Sequence, residues 1–408
     1  MRGGGGRGAR RWYAAALAAL AVGAVGTGAV TAGDARENAA EHGCVSSVPY
    51  VSGSGGYAAY RIPAVVRTHA GTLLAFAEGR VRGVGDAGAV DIVLRRSADG
   101  GCTWGPRRTV AAGRGDTRGN PAPVVDPASG EVVLLSTGNA GAVTESAILA
   151  GRVTKERGRR VYVQRSADDG RSFSAPREIT PSVSKPGWRW YATGPGHATA
   201  LTHGPHAGRL VVPADHSAAP PPGSSGTGRE PRWYGSHALL SDDGGRRWRI
   251  GLADESYEGT VDTNESAVAE LPDGRLYFTA RDQLGSAPGN RADSTSDDGG
   301  ASLDRPFAPQ RSLDAVPVVE GGLLALDSGR LLFSAPSVPA ARRAPALWTS
   351  ADGGRTFAPA LTLSDRPAGY SDLVRVDART VGVLYETGER GPYETIAFRR
   401  VPLTALTR

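Results

Sequence analysis

The chain has 408 residues, 57 of them glycine and 28 proline, with a net charge of +6. Length alone allows one large domain or two ordinary ones, but short Val/Leu/Ile runs between turn residues, with almost no long helical apolar periodicity, favour an all-β architecture and leave helix a minor element. Four of the positive charges are Arg2, Arg7, Arg10 and Arg11, all ahead of the first acid, Asp34, so residues 34 to 408 carry only about +2 and offer no electrostatic case for nucleic acid or a membrane surface.

Those four arginines precede the apolar run Trp12 to Val30, and small and polar residues follow it. This is the layout of a secretory signal peptide, and residues 1–33 are read as one. A membrane anchor is the rival reading, yet the Ala and Gly content makes the run weakly apolar. Arg10-Arg11 resembles a twin-arginine export signal, and a Sec signal explains the same charges. The mature protein is expected to be secreted, extracellular, monomeric and without stable membrane attachment. Residues 34–44 then form a short N-terminal segment. Cys44 and Cys102 both fall in the mature region, where an even count permits one disulfide, and neither has a Cys or His cluster for zinc.

An octapeptide recurs along the rest of the chain. It runs Ser97-Ala-Asp99-Gly-Gly101-Cys-Thr-Trp104, then Ser166-Ala-Asp168-Asp-Gly170-Arg-Ser-Phe173, then Ser241-Asp-Asp243-Gly-Gly245-Arg-Arg-Trp248. Ser296-Asp-Asp298-Gly-Gly300 is a degraded copy ending in Leu303, and Ser350-Ala-Asp352-Gly-Gly354-Arg-Thr-Phe357 is a good one. Each copy supplies a carboxylate for turn amides, a Gly for positive φ and an aromatic to tuck under the turn, which together make a hairpin device. Repetition at about the length of a four-stranded sheet predicts one blade per copy, and dividing the region after residue 45 by this period gives about six, hence a six-bladed β-propeller over residues 45–408. An EF-hand reading of the Asp residues fails for want of the distal Glu.

These octapeptides resemble the Asp boxes of the sialidases, which are structural. Further motifs carry the same resemblance: Tyr60-Arg61-Ile62-Pro63 with Leu73 to Arg80 near the start, Asn264-Glu265-Ser266 with Arg281-Asp282 in the middle, and Tyr370-Ser-Asp372 with Tyr385-Glu386 near the end. The resemblance implies that Arg61, Arg281 and Arg342 clamp a substrate carboxylate, a role that suits the planar guanidinium fork. It makes Tyr370 the nucleophile, Glu265 its base, and Glu386 the carboxylate that orients Arg61. Asp86, in the Gly-rich loop Gly83 to Gly88, becomes the acid/base, a task requiring surroundings that keep it protonated near neutral pH. Asp91 is a rival better suited to a structural cap, and Tyr385 is a packing residue first. The resemblance prefers Arg342 to Arg343, because the family's arginine lies eight residues before the Ser of the last Asp box, here Ser350, and neighbours on a strand face opposite ways, so only one reaches the pocket.

The implied reaction is removal of terminal sialic acid from glycoproteins, glycolipids or oligosaccharides with retention, using no metal or other cofactor. Sialic acid carries a carboxylate on its anomeric carbon, so a neutral Tyr avoids the repulsion a carboxylate nucleophile would meet. A non-catalytic sialic-acid-binding propeller is the alternative, although a lectin needs only the arginine clamp. A trans-sialidase would use the same residues. The turn Gly119-Asn120-Pro121 reads as structural, and Trp190 to His197 falls where sialidases build the pocket beyond the carboxylate site, with His197 a minor candidate. Residues 218–228 read as a flexible loop.

Overall fold

The computed structural model describes residue 1 and residues 44–284 and 289–406; the expected signal peptide, Met1 apart, lies outside the described residues, as does all of the following segment except Cys44. The short apolar runs form strands: β1 (Ser46–Val51), β2 (Ala59–Arg67), β3 (Leu73–Arg80), β4 (Val90–Ser97), β5 (Arg108–Ala111), β6 (Thr117–Val125), β7 (Val132–Asn139), β8 (Arg160–Ser166) and β9 (Arg177–Glu178). There follow β10 (Trp188–Thr193), β11 (Thr199–Ala200), β12 (Leu210–Ala218), β13 (Tyr234–Ser241), β14 (Arg249–Ala253), β15 (Thr263–Glu270), β16 (Leu276–Asp282), β17 (Arg291–Ser296) and β18 (Ala308–Pro309). The last are β19 (Gly322–Ala325), β20 (Leu331–Val338), β21 (Ala341–Ser350), β22 (Ala358–Thr362), β23 (Ala368–Asp377), β24 (Thr380–Thr387) and β25 (Thr395–Pro402).

These strands give an all-β, propeller-like fold of antiparallel meanders. Hydrogen bonding divides them into five sheets, where the sequence led us to expect six blades. The difference lies in one eight-stranded sheet, in which the meanders β2–β5 and β6–β9 are joined by a single parallel bridge, Val90 to Thr117. Strand β1 pairs with β25, so the two ends of the described β-structure share a sheet, and Cys44 is bonded to Cys102 in the first octapeptide. The core lies between neighbouring meanders: Val66, Leu74, Phe76 and Ile92 of one pack against Val132 and Leu134 of the next.

Each octapeptide forms the turn between the third and fourth strands of its meander. The Ser hydroxyl donates to the Asp carboxylate in every copy and accepts from the N–H of the Gly four residues on, as in Ser350 to Asp352 at 2.7 Å and Gly354 to Ser350 at 3.0 Å. Those glycines are needed twice over. Gly354 has φ 88°, and a Cβ on it would lie 2.3 Å from the Tyr277 ring of the preceding sheet. Gly101 stands likewise against Phe398. The turn thus locks each meander to the one before it.

The opposite edge is irregular. Arg61 pairs with Glu78 and Arg80 with Val90, near the start of β2, the end of β3 and the start of β4, whereas the first octapeptide follows the end of β4. On that edge the first strand of several meanders loses register: between Arg61 and Ala64, Gly119 and Ala122, Trp188 and Tyr191, Thr263 and Ser266, and Ala368 and Ser371. Such bulges bend a strand and re-aim its side chains. Ile62 and Asn120 sit within two of them at φ 58° and 53°, a left-handed conformation that is costly for a β-branched Ile.

Candidate active site

The bulges aim their side chains into one cavity of about 370 Å³. Six of the seven residues singled out by sequence line it: Arg61, Asp86, Glu265, Arg281, Arg342 and Tyr370. The seventh, Glu386, lies fully buried beneath them. Its two carboxylate oxygens accept from Arg61 Nε at 3.0 Å and Nη2 at 3.1 Å, and from the backbone N–H groups of Ile62 at 2.9 Å and Tyr370 at 3.0 Å. One buried carboxylate therefore fixes β2 and β23 together. Gly369 makes room for it, since a Cβ there would stand 2.1 Å from Glu386 Oε2.

Tyr370 Oη donates to Glu265 Oε1 at 2.6 Å and accepts from Arg281 Nη1 at 3.1 Å. The same Arg281 nitrogen donates to Glu265 Oε2 at 2.9 Å. Burial, and then the Glu265 charge, push the phenol well above its ordinary value, so Tyr370 is neutral and hydrogen-bonded to a base. The guanidinium of Arg61 lies 5.0 Å from the Tyr370 ring and that of Arg342 lies 5.5 Å away. Arg343 is exposed and donates to the Asp365 carbonyl instead.

Asp86 requires a correction to its expected surroundings. Its side chain is 58% exposed and sits 2.8 Å from Arg80 Nη2 and 4.0 Å from Arg61 Nη1. Burial alone would raise its pKa, but Arg80 and then Arg61 outweigh that and hold it below the usual carboxylate range. Two guanidinium groups stand where the sequence led us to expect surroundings that keep Asp86 protonated, and they favour its ionised form. Asp91 is tied down elsewhere, accepting from Tyr57 Oη at 2.6 Å and from Gly113 N at 2.7 Å. His197 is paired with Asp372 at 2.7 Å and borders a separate cavity with His203 and Glu270.

Several cavity residues were not assigned from sequence. Arg80 is held by Glu78 at 2.8 Å (Nε) and 2.6 Å (Nη2), and Asn120, read as part of a turn, lines the cavity. Tyr393 accepts from Arg342 Nη1 at 2.8 Å and stacks 4.1 Å from the Arg61 guanidinium, linking two of the arginines. Glu145, Arg159 and Asp215 form a second charged group beside Trp190. Asp215 carried a usable signal, being an acid inside the apolar run Leu210 to Ala218; Arg159 did not, standing between Arg157 and Arg160 with nothing to distinguish it.

The family model for a BNR repeat-like domain matches residues 71–383. An exo-alpha-sialidase of Aspergillus fumigatus is 32% identical over 385 residues, covering 86% of this chain and 85% of that protein. A sialidase of Micromonospora viridifaciens is 31% identical over 357 residues, covering 83% of this chain, and the chain spans about half (51%) of its length. Among solved structures, the Hadza microbial sialidase Hz136 superposes with a TM-score of 0.73 at 28% identity, covering 87% of this chain and 68% of that one.

Proposed function

The chain belongs to the sialidase family of BNR-repeat proteins, and from that premise we propose how it releases terminal sialic acid from glycoconjugates as a glycoside hydrolase. The observation that carries the mechanism is the chain of contacts from Arg281 through Tyr370 to Glu265 at the floor of an arginine-lined cavity. Arg61, Arg281 and Arg342 receive the substrate carboxylate, each guanidinium offering paired donors. Tyr370 attacks the anomeric carbon as Glu265 takes its proton, and Asp86 gives a proton to the departing glycosidic oxygen. Water then replaces Tyr370: Asp86 takes a proton from the water, and Glu265 returns its proton to the phenolate. Two displacements at one carbon retain its configuration.

The charge on Asp86 fits this sequence once substrate arrives. A bound carboxylate offsets Arg61, one of the two cations that depress Asp86, while Arg80 stays committed to Glu78. Binding therefore moves Asp86 toward protonation, and an acidic pH optimum follows.

Counting β2–β5 and β6–β9 as separate meanders, we read the fold as a six-bladed propeller beginning at residue 45. We also propose that the protein acts outside the cell as a soluble monomer, on the strength of the basic and apolar N-terminal sequence. The test is hydrolysis of a fluorogenic α-ketoside of N-acetylneuraminic acid, followed by proton NMR. Release of the α-anomer first supports the scheme. Initial release of the β-anomer refutes the Tyr370 intermediate, and an absence of release with any sialoside between pH 4 and 8 refutes the hydrolase reading.

A further inference from the structure

Residues 34–408 carry little net charge, but the exposed cations are not evenly spread. A row of them crosses the octapeptide edge of the first three meanders. Arg108, at the start of β5, donates from Nη1 to the Arg171 carbonyl in the second octapeptide at 2.6 Å. Arg177, at the start of β9, repeats the step one meander on, donating from Nη2 to the Arg246 carbonyl in the third octapeptide at 2.7 Å. The two octapeptide arginines fold back on their own turns, Arg171 Nη1 to the Asp168 carbonyl and Arg246 Nη1 to the Asp243 carbonyl, each at 3.0 Å. The row stops on either side, where Cys102 and Ala301 occupy the corresponding octapeptide position.

All four side chains belong to exposed residues, and all four are held by neutral carbonyls. A carbonyl fixes a guanidinium without cancelling its charge, and leaves the remaining N–H groups free to donate. The acids close by are committed elsewhere: Glu131 is paired with Arg165, Glu178 with Arg160, Asp169 with Arg96 and Asp242 with Arg209. Among the described residues, Arg171 alone of the four has a carboxylate in ion-pair range, Asp169 at 3.9 Å. Arg247, exposed beside Arg246, adds a fifth charge. The result is a preorganised row of cations with free donors, and a guanidinium pairs readily with an oxyanion through two N–H groups at once.

A row repeated from one meander to the next matches a chain of repeating charge better than a single small anion. Nucleic acid would call for exposed rings on which bases stack, and a membrane surface for an apolar anchor. Of the large hydrophobic side chains exposed among the described residues, none lies in the row. We infer that Arg108, Arg171, Arg177 and Arg246 form a docking surface for a linear sulfated glycan, whose sulfate esters take the free guanidinium N–H groups. A sulfate ester stays ionised at the acidic pH proposed for the cavity, where carboxylates begin to protonate. Only that choice of sulfate over carboxylate rests on the hydrolase reading. Because the row and the cavity lie on opposite edges, a docked chain leaves the cavity open to a sialoside on the same surface.

Surface plasmon resonance with size-defined heparin oligosaccharides tests this, with hyaluronan, duplex DNA and phosphatidylserine vesicles for comparison. The protein is expected to bind heparin at an ionic strength of about 0.15 M and to release it as salt rises. Each exposed pair contributes little alone, so replacing all four, as Arg108→Gln, Arg171→Gln, Arg177→Gln and Arg246→Gln together, should weaken binding by about 10-fold or more. The same variant should cleave a small fluorogenic sialoside within about twofold of wild type, since no row residue lines the cavity. Arg152→Gln, Arg157→Gln, Arg229→Gln and Arg390→Gln together remove equal charge from exposed positions outside the row, and heparin binding should then stay within about twofold. An equal loss in the two variants overturns the inference, as does a wild-type protein that does not bind heparin. In wild type, phenylglyoxal modification read by mass spectrometry should show heparin shielding the row, and shielding confined to other arginines overturns it even if the variants do not fold. Hyaluronan, DNA or vesicles bound as tightly as heparin overturn the sulfated-glycan assignment. Heparin binding as expected with no sialoside cleaved sinks the hydrolase reading and supports the docking surface.

Discussion

The two edges of the sheets use the same residue types for opposite purposes. On the octapeptide edge each Asp is saturated within its own turn: burial, the largest single effect on Asp168, would raise its pKa, but the bonds it accepts from Ser166 Oγ, Ser172 N and Ser172 Oγ together bring it down to about 2. On the cavity edge the partners come from far along the chain, Arg61 and Glu386 being 325 residues apart and Glu265 and Tyr370 105 apart. There, Asp215 and the Nε atoms of Arg159 and Arg281 are left unpaired. Local saturation gives a turn that can be copied five times; long-range assembly with unspent hydrogen bonds gives a preorganised site that exists once.

Activity should separate the edges most sharply. Tyr370→Phe removes one oxygen from the cavity and leaves the ring between Arg61 and Arg342, so kcat is expected to fall about 10²-fold or more with circular dichroism unchanged. Near-wild-type turnover by the Phe variant would break the contrast. Glu386→Leu strikes the cavity edge through stability as well. It strands the buried Arg61 guanidinium and two backbone N–H groups, for an expected loss of about 3–5 kcal/mol in urea unfolding. A loss below about 1 kcal/mol would show that Arg61 finds solvent or another acceptor.

The octapeptide edge was legible because its information is local. Eight consecutive residues specify the carboxylate, the amides it accepts from and the glycine that clears the neighbouring sheet, and even the degraded copy at Ser296 keeps the Ser, Asp and Gly bonds while giving up its aromatic for Leu303. The number of hydrogen-bonded sheets was not legible, since it turns on one bridge from Val90 to Thr117. In the cavity, the residues carried by family motifs could be named one by one, and alternation along β21 separates Arg342 from Arg343. What sequence could not give was the electrostatic setting of Asp86. Arg80 precedes it by only six residues, but that loop's path, with Arg80 also donating to the Val84 carbonyl, decides that the guanidinium meets the carboxylate. Arg159 and Asp215, 56 residues apart, belong to no motif and come to line the same cavity only when β12 and the segment before β8 converge on it.

A smaller effect tests the independence of the octapeptide edge. Asp243→Ala removes the acceptor for Ser241 Oγ and for the N–H groups of Arg246 and Arg247, and should cost about 1–2 kcal/mol, the range of a lost capping side chain. Because the turn lies on the edge away from the cavity, kcat/KM per folded molecule should stay within about twofold, well under the 1.4 kcal/mol that a tenfold change represents. A large loss of kcat/KM in a folded protein would mean that the two edges are coupled through the sheets.

The smallest expected effect concerns Asp86. Its acid form is the one that protonates the leaving oxygen, and Arg80 and Arg61 depress its pKa in the free protein, so kcat/KM declines as pH rises through that depressed value. Arg80→Gln keeps a donor for Glu78 while removing one cation 2.8 Å from Asp86. The acid form then persists to higher pH, and the falling limb of the profile should move upward, modestly because the carboxylate is more than half exposed and screened by solvent. A limb that stays in place would mean that Arg61 alone sets the charge on Asp86; one that moves downward would assign the limb to another group.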